Sequence, residues 1–170
     1  MLTTCTELLE QITQHFDYLF SQYGFLVIHA EDAEVGEHCL IVLESTDCRV
    51  KFYTSQGEAN LLFGTMSAPI SWENIVQGTR HWYYIRGILN FLERRPLDLE
   101  QVLQEVGSSK TVEQQLAELS RKLEPVCDQV LGLFRKNVLN HWQAEYEHYE
   151  QEQEAEFAKR YEEWIVQKRS

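Results

Sequence analysis

At 170 residues, with 44% hydrophobic and 25% charged side chains, the chain has the composition of an ordinary globular domain that can bury a core. Its net charge of −12 excludes a general binder of nucleic acid or anionic membrane, which needs a basic surface. No apolar run reaches the ~18 residues of a membrane span, and Met1-Leu2-Thr3-Thr4-Cys5-Thr6-Glu7 lacks the regions of a secretory signal, so a cytoplasmic protein is expected.

In chain order, Thr4 and Glu7 have the spacing of a capping box at a helix start. Leu8, Ile12, Phe16, Leu19, Phe20 and Tyr23 then recur every three or four residues, predicting one amphipathic helix that Gly24 closes as a left-handed cap. Four short runs follow between turn formers: Phe25-Leu26-Val27-Ile28, Cys39-Leu40-Ile41-Val42-Leu43, Arg49-Val50-Lys51-Phe52-Tyr53 and Ala59-Asn60-Leu61-Leu62-Phe63. The links Ser45-Thr46-Asp47 and Ser55-Gln56-Gly57 are short enough to force antiparallel neighbours, so the runs read as a four-stranded meander. The first two strands are apolar on both faces and should be covered twice. The third alternates, which would leave Arg49, Lys51 and Tyr53 half exposed. Residues 31–37 read as an acidic, mobile loop.

Pro69 closes the sheet region, and Ser71-Trp72-Glu73-Asn74 could cap a short helical piece. Residues 80–95 read as a second amphipathic helix, with Trp82, Ile85, Leu89 and Leu92 inward and Pro96 as its stop. Residues 98–106 form a short helix ended by Gly107. Thr111 and Gln114 make a second capping box, and Leu116, Leu119, Leu123, Val126, Val130, Leu133 and Phe134 line a core face. Pro125 should kink or split that helix. Beyond Asn140 the recurring residues become aromatic: Trp142, Tyr146, Tyr149, Phe157, Tyr161 and Trp164. Their spacing predicts a long, nearly straight helix, continuous from about Val126 to Lys168 and about 60 Å long. The fold class is therefore α+β: an N-terminal helix, a four-stranded antiparallel meander, then a helical region ending in one very long helix. Residues 1–140 would be the body and 141–170 the helix extension.

Few residues point to chemistry. Gly107-Ser108-Ser109-Lys110-Thr111 lacks the first glycine of a phosphate loop, has Ser109 where the second belongs, and follows a helix, so it is read as a lead-in to the Thr111 cap. Cys5, Cys39, Cys48 and Cys127 are too scattered for a zinc site and too few for a disulfide scaffold; four reduced, buried thiols are expected. His141, Glu145 and His148 could supply three ligands from one helix, but solvated positions on an acidic helix are the commoner reading. Arg80, Arg86, Arg94 and Arg95 lie among His81, Trp82, Tyr83 and Tyr84, and in so acidic a chain they should pair with its own carboxylates. No cofactor is expected.

The tail stands out. Between Glu145 and Glu163 there are eight glutamates against Lys159 and Arg160, a net −6 and half of the chain's −12. Tyrosine and tryptophan are residues that interfaces favour, so the aromatic stripe from Trp142 to Trp164 is the candidate partner-binding surface.

Phe16-Asp17-Tyr18-Leu19, Tyr23-Gly24-Phe25 and the strand run from Leu40 to Phe63 resemble a loose group of small uncharacterised bacterial α+β proteins. In these a leading helix feeds an antiparallel sheet, and some are grouped with immunity or toxin-neutralising proteins. The resemblance covers about the first 65 residues and implies no site residue. The combined expectation is a non-enzymatic bacterial interaction protein, an immunity or accessory factor. It would present an acidic aromatic helix to a basic protein surface or to a second copy, with no direct contact to nucleic acid or membrane. The alternative is a small enzyme with a site assembled from scattered His, Cys and Glu residues.

Overall fold

The computed structural model describes residues 5–33, 38–96, 98–106, 109–135 and 139–170. The chain divides into two compact units, Met1–Ile85 with Lys110–Leu139, and Arg86–Ser109 with Asn140–Ser170.

The first unit opens with α1 (Cys5–His15) and α2 (Asp17–Ser21), not with one continuous helix. The break is at Phe16, whose ring is fully buried against Phe52 at 5.0 Å, edge to face. Leu19 N–H donates to the Phe16 carbonyl, and the His15 carbonyl accepts instead from the Ser120 hydroxyl at 2.5 Å. A tertiary hydrogen bond thus replaces the helical one. Gly24 has φ +68, so the left-handed turn that delivers the chain to the sheet is present. The Thr4 capping box lies outside the described residues.

The sheet contains the expected meander, β1 (Leu26–Asp32), β2 (Cys39–Glu44), β3 (Arg49–Ser55) and β4 (Glu58–Gly64), and adds β7 (Trp82–Tyr84) to its end. The order is β1-β2-β3-β4-β7, every pair antiparallel. A hairpin of β5 (Ile75–Val76) and β6 (Thr79–Arg80) lies in the connection before β7.

One face carries Ile41, Leu43, Val50, Phe52, Leu61 and Phe63, all essentially buried. Helices α1 and α5 (Val112–Leu123) pack over it, and Phe134 lies beside Phe63 and Tyr83. The opposite face has a smaller core of Leu40, Val42, Leu62, Ala68 and Trp82, with Tyr53 against it. Residues 65–74, which run with bends and no helix, lie against this face: Trp82 Nε1 donates to the Pro69 carbonyl at 2.9 Å. Arg49 reaches the Ala68 carbonyl at 2.7 Å and Glu44 at 2.7 Å. The short helix expected at 71–74 is absent for the same reason: its backbone serves as a lid, with Ser71 Oγ bonding locally to Glu73.

Two strand expectations change. β2 is covered on both sides, as its composition requires. β1 is not: Leu26, Val27 and Ile28 are 71%, 41% and 38% exposed, because β1 is an edge strand and its preceding residue, Phe25, takes the buried position. β3 is the more covered strand, with Lys51 fully buried. Glu31 and Asp32 belong to β1 and not to an acidic loop; residues 34–37 lie outside the described residues.

Thr111 forms the expected capping box, its hydroxyl accepting from Gln114 N–H at 3.2 Å while Gln114 Oε1 accepts from Thr111 N–H at 3.0 Å. Pro125 splits the helix, through a 3-10 turn at Glu124–Val126 into α6 (Cys127–Phe134). The expectation of continuity from Val126 therefore fails, since α6 ends at Phe134.

The second unit contains α3 (Ile85–Glu93, its first residue in the first unit), α4 (Leu99–Val106) and α7 (Leu139–Arg169). Helix α3 begins later than expected because Trp82–Tyr84 is a strand. It ends before Pro96 through Arg94, at φ +53. Asp98 caps α4, its Oδ1 accepting from Glu100 N–H at 3.0 Å. Helix α7 is 31 residues long, about 46 Å at 1.5 Å per residue. Gly107, the expected end of α4, lies outside the described residues. Among the described residues no helix is long and apolar enough to cross a membrane.

Candidate functional site

Helix α7 has an apolar periodicity used in two different ways. Its first half is built into the second unit. Trp142, Tyr146 and Tyr149 are buried around Phe91 of α3, with ring centroids 6.2, 5.4 and 5.6 Å from it. Tyr149 donates its hydroxyl to the Arg95 carbonyl at 2.6 Å, and burial raises its pKa. Gly87 allows α3 to approach, since a Cβ there would collide with the Tyr146 hydroxyl. Three of the six expected partner-binding aromatics are thus inside their own unit.

The second half is different. Phe157 and Tyr161 stack at 6.2 Å, and Tyr161 and Trp164 at 5.9 Å, forming a ladder along one side of the helix. Tyr161 and Trp164 are 39% and 36% exposed, and the neighbouring Val166 is 66% exposed. Lys168 Nζ lies 5.8 Å from the Trp164 ring, and Arg160 pairs with Glu156 at 3.0 Å. Glu150, Glu152, Glu154, Glu162 and Glu163 belong to the same segment, and the last four of these are exposed.

A recess of about 390 Å3 lies where the two halves meet, lined by Arg94, Glu145, His148, Tyr149, Glu152 and Gln153. Two of the three side chains considered as metal ligands, Glu145 and His148, are among its lining. Glu145 is held by Arg94 at 3.1 Å and His148 by Glu152 at 3.0 Å; the His141 side chain lies outside the described residues. Arg94 also covers the Phe91 ring at 4.3 Å, and Arg95 pairs with Glu93. Two of the four arginines therefore serve internal carboxylates, as expected. Arg80 lies over the Tyr83 ring at 5.5 Å.

Three of the described histidines each have a partner of their own. His15 faces Glu113 at 3.5 Å, His29 bonds Glu31 at 3.0 Å, and His38 bonds the Thr54 carbonyl at 3.3 Å, in three separate places. Cys48 and Cys127 are free and buried, and burial pushes both thiols up to about 12, which suits inert core residues.

Two constellations escaped sequence reasoning. Lys51 is buried on the smaller core face, where its ammonium donates to the carbonyls of Ser71 (3.2 Å) and Glu73 (3.4 Å) and to Asn74 Oδ1 (2.7 Å). It sits 4.8 Å from the Trp82 ring, and burial lowers its pKa to about 8. Beside it Tyr53 and Tyr84 share a hydrogen bond of 2.8 Å, and Asn74 Nδ2 donates to Tyr84 at 3.2 Å. All three ammonium protons have partners, so Lys51 pins the 71–74 lid. The expectation of a half-exposed lysine came from strand alternation alone.

The other is Cys5 and Cys39, which form a disulfide with Cα atoms 5.2 Å apart. This corrects the expectation of four reduced thiols. Local strand geometry bears only on Cys39 and Cys48, which the hairpin keeps apart, and a bridge across 34 residues between helix and strand carries no local signal.

No family model, curated protein or solved structure matches the chain.

Proposed function

We propose that the protein is a non-enzymatic interaction module that docks the distal half of α7 onto a basic surface of another protein. The observation that carries this reading is the stacked ladder of half-buried Phe157 and exposed Tyr161 and Trp164 on a helix segment dominated by glutamate. Aromatic anchors surrounded by charge are a common composition of recognition surfaces, since the rings supply contact area and the charges supply steering. The net −6 of residues 145–163 favours a basic partner over a second copy, because two such helices side by side would repel. A bacterial immunity or accessory role suits such a surface, which could occupy a basic, nucleic-acid-binding groove. The buried Trp142, Tyr146 and Tyr149 serve to hold the helix.

The test uses a defined probe, a labelled amphipathic helical peptide of leucine and lysine, with binding read by fluorescence anisotropy. The full chain should bind it, with affinity that falls as salt rises. The triple variant Phe157→Ala, Tyr161→Ala, Trp164→Ala should keep its Tm and bind at least about tenfold more weakly, the loss of roughly 1.4 kcal/mol. Equal binding by the variant, or no binding by the wild type, would reject the reading. Concentration-dependent dimerisation that the triple variant loses would replace the basic partner with a second copy.

A further inference from the structure

The disulfide has a third member. Cys5 is the first residue of α1 and Cys39 the first of β2, while Asp32 ends β1 and stands directly opposite Cys39 in the strand register. Asp32 Oδ1 accepts the Cys5 N–H at 3.1 Å, capping α1 from another element. One carboxylate oxygen and both sulfurs lie within 4.8 Å of one another, the only such His, Cys, Asp or Glu group of three or more among the described residues. Both cysteines are buried and Asp32 is exposed, so the group is walled by core on one side and open on the other.

The capping bond holds the carboxylate beside the two sulfurs, and with the sulfurs reduced the same three side chains can serve as a ligand set. Two thiolates and one carboxylate make a three-ligand set with an open fourth position, a composition that suits zinc and similar borderline-soft ions. The first turn of α1 adds partial positive charge beside the group, which offsets part of the negative charge such a ligand set carries. The three ligands come from three different elements, which fold places together irrespective of the metal.

We propose that, when the disulfide is reduced, Cys5, Cys39 and Asp32 bind a thiophilic divalent cation of the zinc class, so that disulfide and metal are alternative states of the same two sulfurs. The exchange balances simply. A small dithiol reductant delivers two electrons and two protons to the S–S bond and leaves as its own disulfide. The cation then displaces the two thiol protons to solvent and takes both thiolates. Metal–sulfur bonds of about 2.3 Å at tetrahedral angles place the sulfurs about 3.7 Å apart, so they swing apart by side-chain rotation while α1 and β2 stay in place. Bound metal would shield the thiols from oxidants, and oxidation would expel the metal.

Cobalt(II) is the probe. The full-length protein is reduced with a phosphine, freed of it under anaerobic conditions and titrated with cobalt(II). The expected result is a near-ultraviolet thiolate-to-cobalt charge-transfer band that saturates at one ion per chain and is abolished by adding zinc(II). The oxidised protein should show no band, nor should Cys39→Ser. Cys48→Ser and Cys127→Ser should each keep it. Asp32→Asn preserves a capping side chain and should lower cobalt affinity at least about tenfold, given that even outer-shell partners commonly cost about 10–100-fold. Circular dichroism on each reduced sample establishes that it is folded. A folded, reduced wild type without the band, a band that survives Cys39→Ser, or an Asp32→Asn variant with unchanged affinity would overturn the proposal and leave the disulfide as a structural tie.

Discussion

Lys51 illustrates how one residue can invert a reading made from alternation. In Arg49-Val50-Lys51-Phe52-Tyr53 the pattern puts Val50 and Phe52 inward and the rest toward water, and the first half of that inference holds. The second fails because the opposite face has its own lid, whose carbonyls at Ser71 and Glu73 need a donor. A lid formed by residues without regular structure leaves no periodic trace. Burial of the ammonium lowers its pKa from 10.5 to about 8. Below pH 8 the lysine is charged in both folded and unfolded chains and the full cost of burying that charge is felt. Between 8 and 10.5 the folded chain releases the proton while the unfolded chain keeps it, so this cost fades and the contribution to stability rises with pH. The buried Cys48 and Cys127 act oppositely, since their unfolded thiols ionise above about 9. The comparison with Lys51→Met isolates the lysine: wild type should gain stability relative to that variant as pH rises from 8 to 10, measured by urea unfolding. A constant difference would mean that Lys51 is solvated. On the other face, Phe52→Ala removes the ring that fills the break between α1 and α2, and should cost about 3–5 kcal/mol in the same assay.

Elements were legible where their signals are local. The Thr111 cap is an example: four residues contain both hydrogen bonds, and both are made. Thr111→Ala should cost about 1 kcal/mol, with Thr111→Ser near wild type, as read by denaturation midpoints. The meander was legible for the same reason, since its turns are short. What local signals do not carry is position in the sheet. Leu26-Val27-Ile28 has the composition of a central strand but forms the edge, and Trp82-Tyr83-Tyr84 has a helical spacing with the residues after it but pairs with β4. Both outcomes follow from which strand the chain returns to after the 65–81 connection, where Lys51 holds the 71–74 lid and Trp82 pairs with Gly64. Leu26→Thr should therefore change stability by less than about 0.5 kcal/mol, whereas Ile41→Val, fully buried in β2, should cost about 0.5–1.5 kcal/mol. A large effect at Leu26 would show that the edge is covered in solution.

At the scale of the whole chain, α7 links the structural and functional readings, and truncation separates them. The six aromatics read as one stripe because their steps of three, four and eight residues each lie close to whole helical turns. Such spacing specifies which side of a helix is apolar and not what covers it. The difference between the halves comes from α3, which is 9 residues long and brings Phe91 within reach of Trp142, Tyr146 and Tyr149. A cut after Asn140 removes every aromatic partner of Phe91 in that cluster. A cut after Glu154 leaves the cluster intact and removes the stacked ladder. Isolated helices draw most of their stability from packing, so the two shortened chains should behave differently. The chain ending at Glu154 should lose only the helicity of the residues removed, by far-ultraviolet circular dichroism, and keep its Tm while losing binding to the basic peptide. The chain ending at Asn140 should lose additional helicity, because Phe91 of α3 loses the three rings it packs against, and its near-ultraviolet aromatic signal should fall by more than the removed side chains account for. If the Glu154 chain instead melts several degrees lower, the ladder is part of the protein's own packing and cannot be the docking surface.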